Sequence, residues 1–181
     1  GFSLGIVSRK KILNKNNVKE KDVILAIPSS GLHSNGFSLL RRILKNYKIE
    51  KFIKKELLIP TKIYTKEILT LTDKKLIHAC ANITGGGLIG NIVRSIPNNL
   101  TANIDLSKIK VQKIFKWLRR KNISDFEMLK TFNCGVGFCL ITNRSKVDKI
   151  KKIFSKNFKP YEIGYISSSS KKLNLISKVK W

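Results

Sequence analysis

Cys80, Cys134 and Cys139 are all the cysteine the sequence has, and no two of them stand in a CxxC spacing. So small and unclustered a set excludes a disulfide framework and a zinc cage, and suits a reducing cytosol. His78 and Cys80 stand two apart in the apolar run LIHACA with no second pair at ligand spacing, so they read as core packing and no metal site is expected. No apolar run is long enough to cross a bilayer, and residues 1 to 20 lack the charged-then-apolar pattern of a secretion signal. The expectation is a soluble, cytoplasmic chain. Acid is scarce as well: 11 Asp and Glu face 37 Lys and Arg, a formal charge of +26. Such a charge raises nucleic acid or an anionic membrane as partners. The sequence lacks zinc-finger spacing, RNP-type aromatics and a basic arm. Only seven of the basic residues are Arg, and the lysines run through every segment beside an excess of Ile and Asn. AT-rich codons produce that trio without selection for polyanions. A lysine-coated, solvated surface is therefore the preferred reading, with a basic polyanion-binding module as the alternative from another class.

What is present is enough for one domain over residues 1–181 with a core of its own. Strand candidates are residues 4–7, 22–28, 75–83, 100–106, 134–142, 160–166 and 172–179. Between them run stripes at helical spacing: Phe37, Leu40, Ile43, Leu44 and Tyr47; Tyr64, Ile68 and Leu71; Leu88, Ile89, Ile92, Val93 and Ile96; Ile114, Trp117 and Leu118; Val147, Ile150, Ile153 and Phe154. The last two strands follow a helix with none between them, which excludes a purely alternating parallel sheet and predicts a mixed one. Ser34 or Asn35, Thr61 and Ser145 are candidate helix caps, and SSSSKK is a loop between the last strands.

Three stretches break the apolar pattern with small polar residues. Ser29 to Gly36 follows the run DVILAI and leads into a helix; it gathers Ser29, Ser30, His33, Ser34 and Asn35, with Gly31 and Gly36 among them. These supply hydroxyl and amide donors and one group that titrates near neutrality. No carboxylate lies in this loop, so a hydrolase triad has no local support. In Asn82 to Val93 a strand runs into Thr84, Gly85, Gly86 and Gly87 and a helix begins at once, an arrangement that binds phosphate or simply packs strand and helix closely. It is not a Walker loop, since no GK[ST] follows. The third is TFNCGVGF, with Asn133, Cys134, Gly135 and Gly137; Cys134 reads as packing rather than as a nucleophile.

SSGLHSNGFSLLRRIL, LLIPTKIYTKEIL, ITGGGLIGNIVRSIP and EMLKTFNCGVGF, in this order from Gly1 to about Ser167, resemble the C-terminal half of the aminoimidazole ribonucleotide synthetase, or phosphoribosylformylglycinamidine cyclo-ligase, family. The pairing of HSNG with TFNCG is specific to it, whereas TGGG is shared with other ATP-dependent enzymes of the superfamily, which remain the nearer alternative. The resemblance implies an α+β, three-layer α/β/α fold on a mixed sheet of about six strands. It implies a homodimeric enzyme of purine biosynthesis that uses ATP and Mg²⁺, bound mainly through an N-terminal domain this chain does not contain. It further implies a phosphorylated small-molecule substrate and no activity without that partner domain. Carried over by position, His33 would polarise or protonate the reacting amide. Ser30, Gly31, Ser34, Asn35 and Gly36 would line the site, Thr84, Gly85, Gly86 and Gly87 would hold a phosphate, and Asn133, Cys134 and Gly135 would form the adjacent wall. The sequence departs from the family at Phe37, Asn82, Gly90, Val93 and Lys130, and Gly90 removes any binding role of the Glu usual there.

Overall fold

Successive side chains of a strand point to opposite faces. In β1 (Val23–Pro28), Val23, Leu25 and Ile27 face one way and Ile24 and Ala26 the other, and all five are wholly buried, so both faces must be covered. The computed structural model, which describes residues 2, 4–47 and 49–181, shows what covers them; Gly1, where the resemblance starts, lies outside the described residues. On the Ile24 face pack α1 (Phe37–Lys45), α2 (Lys51–Leu57), α4 (Gly87–Ile92), α5 (Lys113–Arg119) and α6 (Asp125–Thr131), through Leu40, Ile53, Leu88, Phe115 and Met128. On the Leu25 face pack α3 (Thr65–Asp73) and α7 (Val147–Lys151), through Leu71 and Ile150. Burying side chains of this size stabilises by about 1.5–3 kcal/mol each.

Among the described residues the sheet has six strands. They are β1, β2 (Ala79–Asn82), β3 (Leu100–Asp105), β4 (Val136–Thr142), β5 (Tyr161–Ser168) and β6 (Leu173–Ile176), in the order β2-β4-β1-β5-β3-β6. Only β3 and β6 pair in parallel. The result is the predicted three-layer α+β fold on a mixed sheet. Because β4 lies between β1 and β2 and runs against both, the C-terminal ends of β1 and β2 meet the start of β4 at one end of the sheet.

Several boundaries differ from the sequence reading, each for a local reason. Residues 4–7 are not a strand: they have no pairing partner, and Leu4, Ile6 and Val7 stand exposed. Cys134 and Gly135 have positive φ, so β4 begins at Val136 rather than at 134, and positive φ at Ser177 follows the end of β6. The cap of α1 is Gly36, at φ 78° and without a side-chain hydrogen bond, instead of Ser34 or Asn35. Thr61 caps nothing, since α3 starts at Thr65 after Tyr64, and Ser145 lies within a 3-10 turn, so that Lys146 and not Ser145 precedes α7. Two helices carry no stripe in the sequence reading: α2 buries only Ile53, and α6 opens on Ser124, whose hydroxyl accepts from the Glu127 amide. Among the described residues no helix is long and apolar enough to cross a membrane.

Candidate functional site

The three polar stretches converge where β1, β2 and β4 come together. Backbone bonds tie them: the Ser29 amide donates to the Gly135 carbonyl at 2.9 Å, and the Ile83 amide to the Gly137 carbonyl at 3.1 Å. Asn133, 1% exposed, then knits the first stretch to the third. Its Nδ2 donates to the carbonyls of Gly31 (2.9 Å) and Leu32 (3.2 Å), while its Oδ1 accepts from the Gly135 amide at 2.8 Å. Gly36 sits against the Phe132 ring with no room for a Cβ, and Asn35 Oδ1 lies beside Gly85, which joins the first stretch to the second.

His33 is buried at φ 57°, a left-handed conformation uncommon for a residue with a side chain. Its Nε2 accepts from the Ser30 amide at 3.2 Å, so the ring proton of the neutral form belongs on Nδ1. Burial lowers its pKa from the ordinary 6.5, so the ring is neutral at pH 7 and above. Beside it stands Tyr64, with ring centroids 6.2 Å apart, its hydroxyl donating to the Pro28 carbonyl at 2.8 Å. Burial, with Glu67 adding to it, raises the Tyr64 pKa and keeps the phenol neutral. A Cβ on Gly137 would land on the Tyr64 hydroxyl, so a glycine in this strand is what lets phenol and imidazole approach β4.

The remaining predicted residues divide by what their polar atoms already do. The Ser30 hydroxyl donates to the Pro60 carbonyl at 2.7 Å and accepts from the Lys62 amide at 3.1 Å, pinning the loop to the segment before α3. Ser34 is exposed and its hydroxyl meets that of Thr61 at 3.2 Å. Cys134 is enclosed, its thiol directed at the Met128 carbonyl at 3.4 Å, and burial raises its pKa; it is wall rather than a reacting group. Thr84, Gly85 and Gly86 are exposed, and the Gly85 and Gly86 amides donate to no described residue. Gly87, by contrast, is packing: its amide donates to the Thr84 carbonyl at 3.0 Å, and a Cβ there would strike the Leu129 carbonyl of α6. At six residues α4 is short, so free amides rather than a helix dipole are what the turn offers an anion.

The chain matches the family described as AIR synthase related protein, C-terminal domain, over residues 19–174. It belongs to that family. It is similar to the phosphoribosylformylglycinamidine cyclo-ligases of Thermodesulfovibrio yellowstonii (40% identical over 179 residues, 92% of this chain and 52% of the relative) and Lactobacillus helveticus (40% over 177 residues, 91% and 51%). The chain thus spans about half the length of the curated relatives it matches. Among solved structures, thiamine-monophosphate kinase from Stenotrophomonas maltophilia (TM-score 0.66, 17% identity, 96% of this chain and 56% of that one) shares the fold. So does PurLQS from Thermotoga maritima (TM-score 0.61, 12%, 97% and 27%).

In this AIR synthase-related domain three residues that sequence reasoning passed over hold the corner in shape. Asn91 Nδ2 donates to the carbonyls of Thr84 (3.2 Å), Gly85 (3.1 Å) and Gly87 (2.8 Å), bracing the whole turn from inside. Gln112 Nε2 donates to the Ser29 carbonyl at 2.6 Å. Tyr64 was legible only as one member of an apolar stripe. Asn91 is an amide in an otherwise apolar helix just after three glycines, and that was a usable signal.

Two tests of the architecture arise here. Gly87→Ala should cost about 3 kcal/mol, combining the left-handed penalty at φ 60° with a backbone clash against Leu129, and denaturant midpoints would report it. For His33 the sign of the pH effect follows from burial of the neutral form. The unfolded chain takes up the proton near pH 6.5 and the folded one only lower. Stability present above 6.5 therefore declines as pH falls below it, by at most about 1.4 kcal/mol per pH unit. His33→Asn, which keeps a residue tolerant of positive φ, should flatten that part of the stability–pH curve measured by urea unfolding.

Proposed function

We propose that this chain is the C-terminal, substrate-facing half of a phosphoribosylformylglycinamidine cyclo-ligase, the enzyme of purine biosynthesis that closes the imidazole ring of aminoimidazole ribonucleotide. The observation that carries the reading is the 40% identity to such cyclo-ligases across 92% of the chain. The meeting of its three polar stretches in one corner supports it. In the reaction the formyl amide oxygen of formylglycinamidine ribonucleotide takes a phosphoryl group, the amidine nitrogen attacks the activated carbon, and phosphate leaves with that oxygen as the ring closes. ATP supplies the phosphoryl group when bound, and its docking is assigned mainly to an N-terminal domain acting with this one, in a homodimer.

The residues of this chain do the rest. His33 presents Nδ1–H as a neutral donor toward the amide oxygen on which charge develops; burial keeps the ring neutral, so it polarises that oxygen as a hydrogen-bond donor rather than as an acidic imidazolium. The Gly85 and Gly86 amides, with Ser34 and Asn35 across from them, receive phosphate oxygens. Asn133, Asn91 and Gln112 are positioning residues. Ser30, Gly31, Gly36, Thr84, Gly87, Cys134 and Gly135 shape the same corner. Mg²⁺, which takes one or two carboxylates together with waters and substrate phosphates, is assigned with ATP mainly to the N-terminal domain, and no step is routed through it here.

The test joins the chain to the N-terminal half of the Thermodesulfovibrio yellowstonii relative and measures phosphate release. Release should require ATP and formylglycinamidine ribonucleotide together and exceed that of either half alone. In parallel, phosphate added to the chain itself should move the Gly85 and Gly86 amide signals in an NMR titration. A folded fusion with no substrate-dependent release, and glycine amides indifferent to phosphate, would overturn the assignment.

A further inference from the structure

A second polar constellation sits at the opposite end of the sheet, where β1 and β2 begin. Asp22, the residue before β1, is 1% exposed; its Oδ2 accepts from the Lys19 amide at 2.9 Å and stands 2.7 Å from Nδ1 of His78, the residue before β2. The His78 side chain keeps 17% of its surface. Its Nε2 has no partner among the described residues, yet every wholly buried side-chain nitrogen or oxygen among them has one, so Nε2 opens to space. That space is a cavity of about 580 Å³, within the range of small-molecule sites.

The charges around it that have no partner of opposite sign are all positive. Lys11 pairs with Asp73 at 2.8 Å, which neutralises both. Lys146 donates to the Lys75 carbonyl at 3.0 Å, which fixes its ammonium at the rim without cancelling its charge. Lys19 and Lys75 also line the cavity and are paired with no carboxylate among the described residues, and the one other acid, Asp22, lies buried behind His78. Ile12, Leu13 and Ile77 supply low-dielectric wall, which focuses the field of the three ammoniums into the hollow. The lysine coat elsewhere is solvated surface. Here alone among the described cavities does a histidine, oriented by a buried carboxylate, stand among the lysines.

We infer that this cavity is a second binding site, for a small phosphorylated anion that keeps a P–OH group, in which His78 Nε2, an acceptor because Nδ1–H is given to the Asp22 carboxylate, takes that hydrogen and Lys19, Lys75 and Lys146 supply the charge. It is separate from the glycine turn, since β1 and β2 run the width of the sheet between them. An occupant would also clamp residues 11–19 against the end of α3, because the lysines come from both.

The probe is inorganic pyrophosphate, titrated into the full chain at about 150 mM salt, where diffuse surface charge is screened. Binding should saturate and move the His78 imidazole signals. The double variant Lys19→Gln/Lys75→Asn, with Asn chosen for the positive φ at 75, should weaken it about tenfold or more. Lys54→Gln/Lys55→Gln, which removes the same charge from exposed positions on α2, should change affinity by less than about twofold. His78→Gln would strand the Asp22 carboxylate and endanger folding, so the lysine pair carries the test. Three outcomes would overturn the inference: no saturable binding, equal weakening by both double variants, or shifts confined to the Gly85 and Gly86 amides.

Discussion

Asn133→Ala is expected to lower the unfolding free energy by about 3–5 kcal/mol, the cost of leaving two carbonyls and an amide without partners in a dry interior. The side chain is 1% exposed and makes three bonds, to Gly31, Leu32 and Gly135, so its partners are shut off from bulk solvent. At roughly 2–4 °C per kcal/mol for a chain of this size, the melting temperature should fall by about 10 °C. Asn143→Ala provides the contrast. Asn143 also accepts from backbone, at the Ser145 amide, but it is exposed, and its loss should cost about 1 kcal/mol or less. Thermal melts of the two variants beside the parent check the pair; equal losses would mean that Asn133 is not the knot between the two stretches.

His33→Asn, placed in the cyclo-ligase fusion, is expected to lower kcat by about 10²–10³ with KM for the ribonucleotide nearly unchanged, the pattern of a donor that acts on charge present only in the transition state. Asn tolerates the backbone at φ 57° but its amide is too short to take the place of Nδ1. The melting temperature should move by no more than a few degrees, which separates chemistry from folding. A kcat within about threefold of the parent would remove His33 from the mechanism.

Some of this was readable from the sequence because it is local. The alternation in VILAI, with both sets apolar, called for a doubly covered strand, and β1 is one. The glycines at 85–87 announced unusual or closely approached backbone, and positive φ at Gly86 and Gly87 is what they provide; Gly135 and Gly137 announced close approach, and the Lys110 carbonyl lies against the first of them. What stayed hidden depends on which strands lie side by side. The bond from Asn133 to Gly31 spans 102 positions and exists only because β4 is next to β1, a pairing that no short window of sequence contains. The same holds for Tyr64, whose hydroxyl finds room through the missing Cβ of Gly137. The cap at Ser34 or Asn35 failed for a different reason: Gly36 reaches a left-handed conformation that lets the chain turn into α1 without a side-chain acceptor.

The order β2-β4-β1-β5-β3-β6 also governs how the molecule is made. Both neighbours of β1 are translated long after it: Val23 pairs with Thr142 on one side and Tyr165 on the other. On a ribosome adding about 5–20 residues per second, the apolar ribbon 23–27 emerges before its partners and waits of the order of ten seconds for them to be translated. Folding dominated by such distant pairings is slow, and the unpaired strand is meanwhile a template for the wrong partner. During synthesis this apolar strand therefore stays open to mispairing until β4 and β5 have been translated.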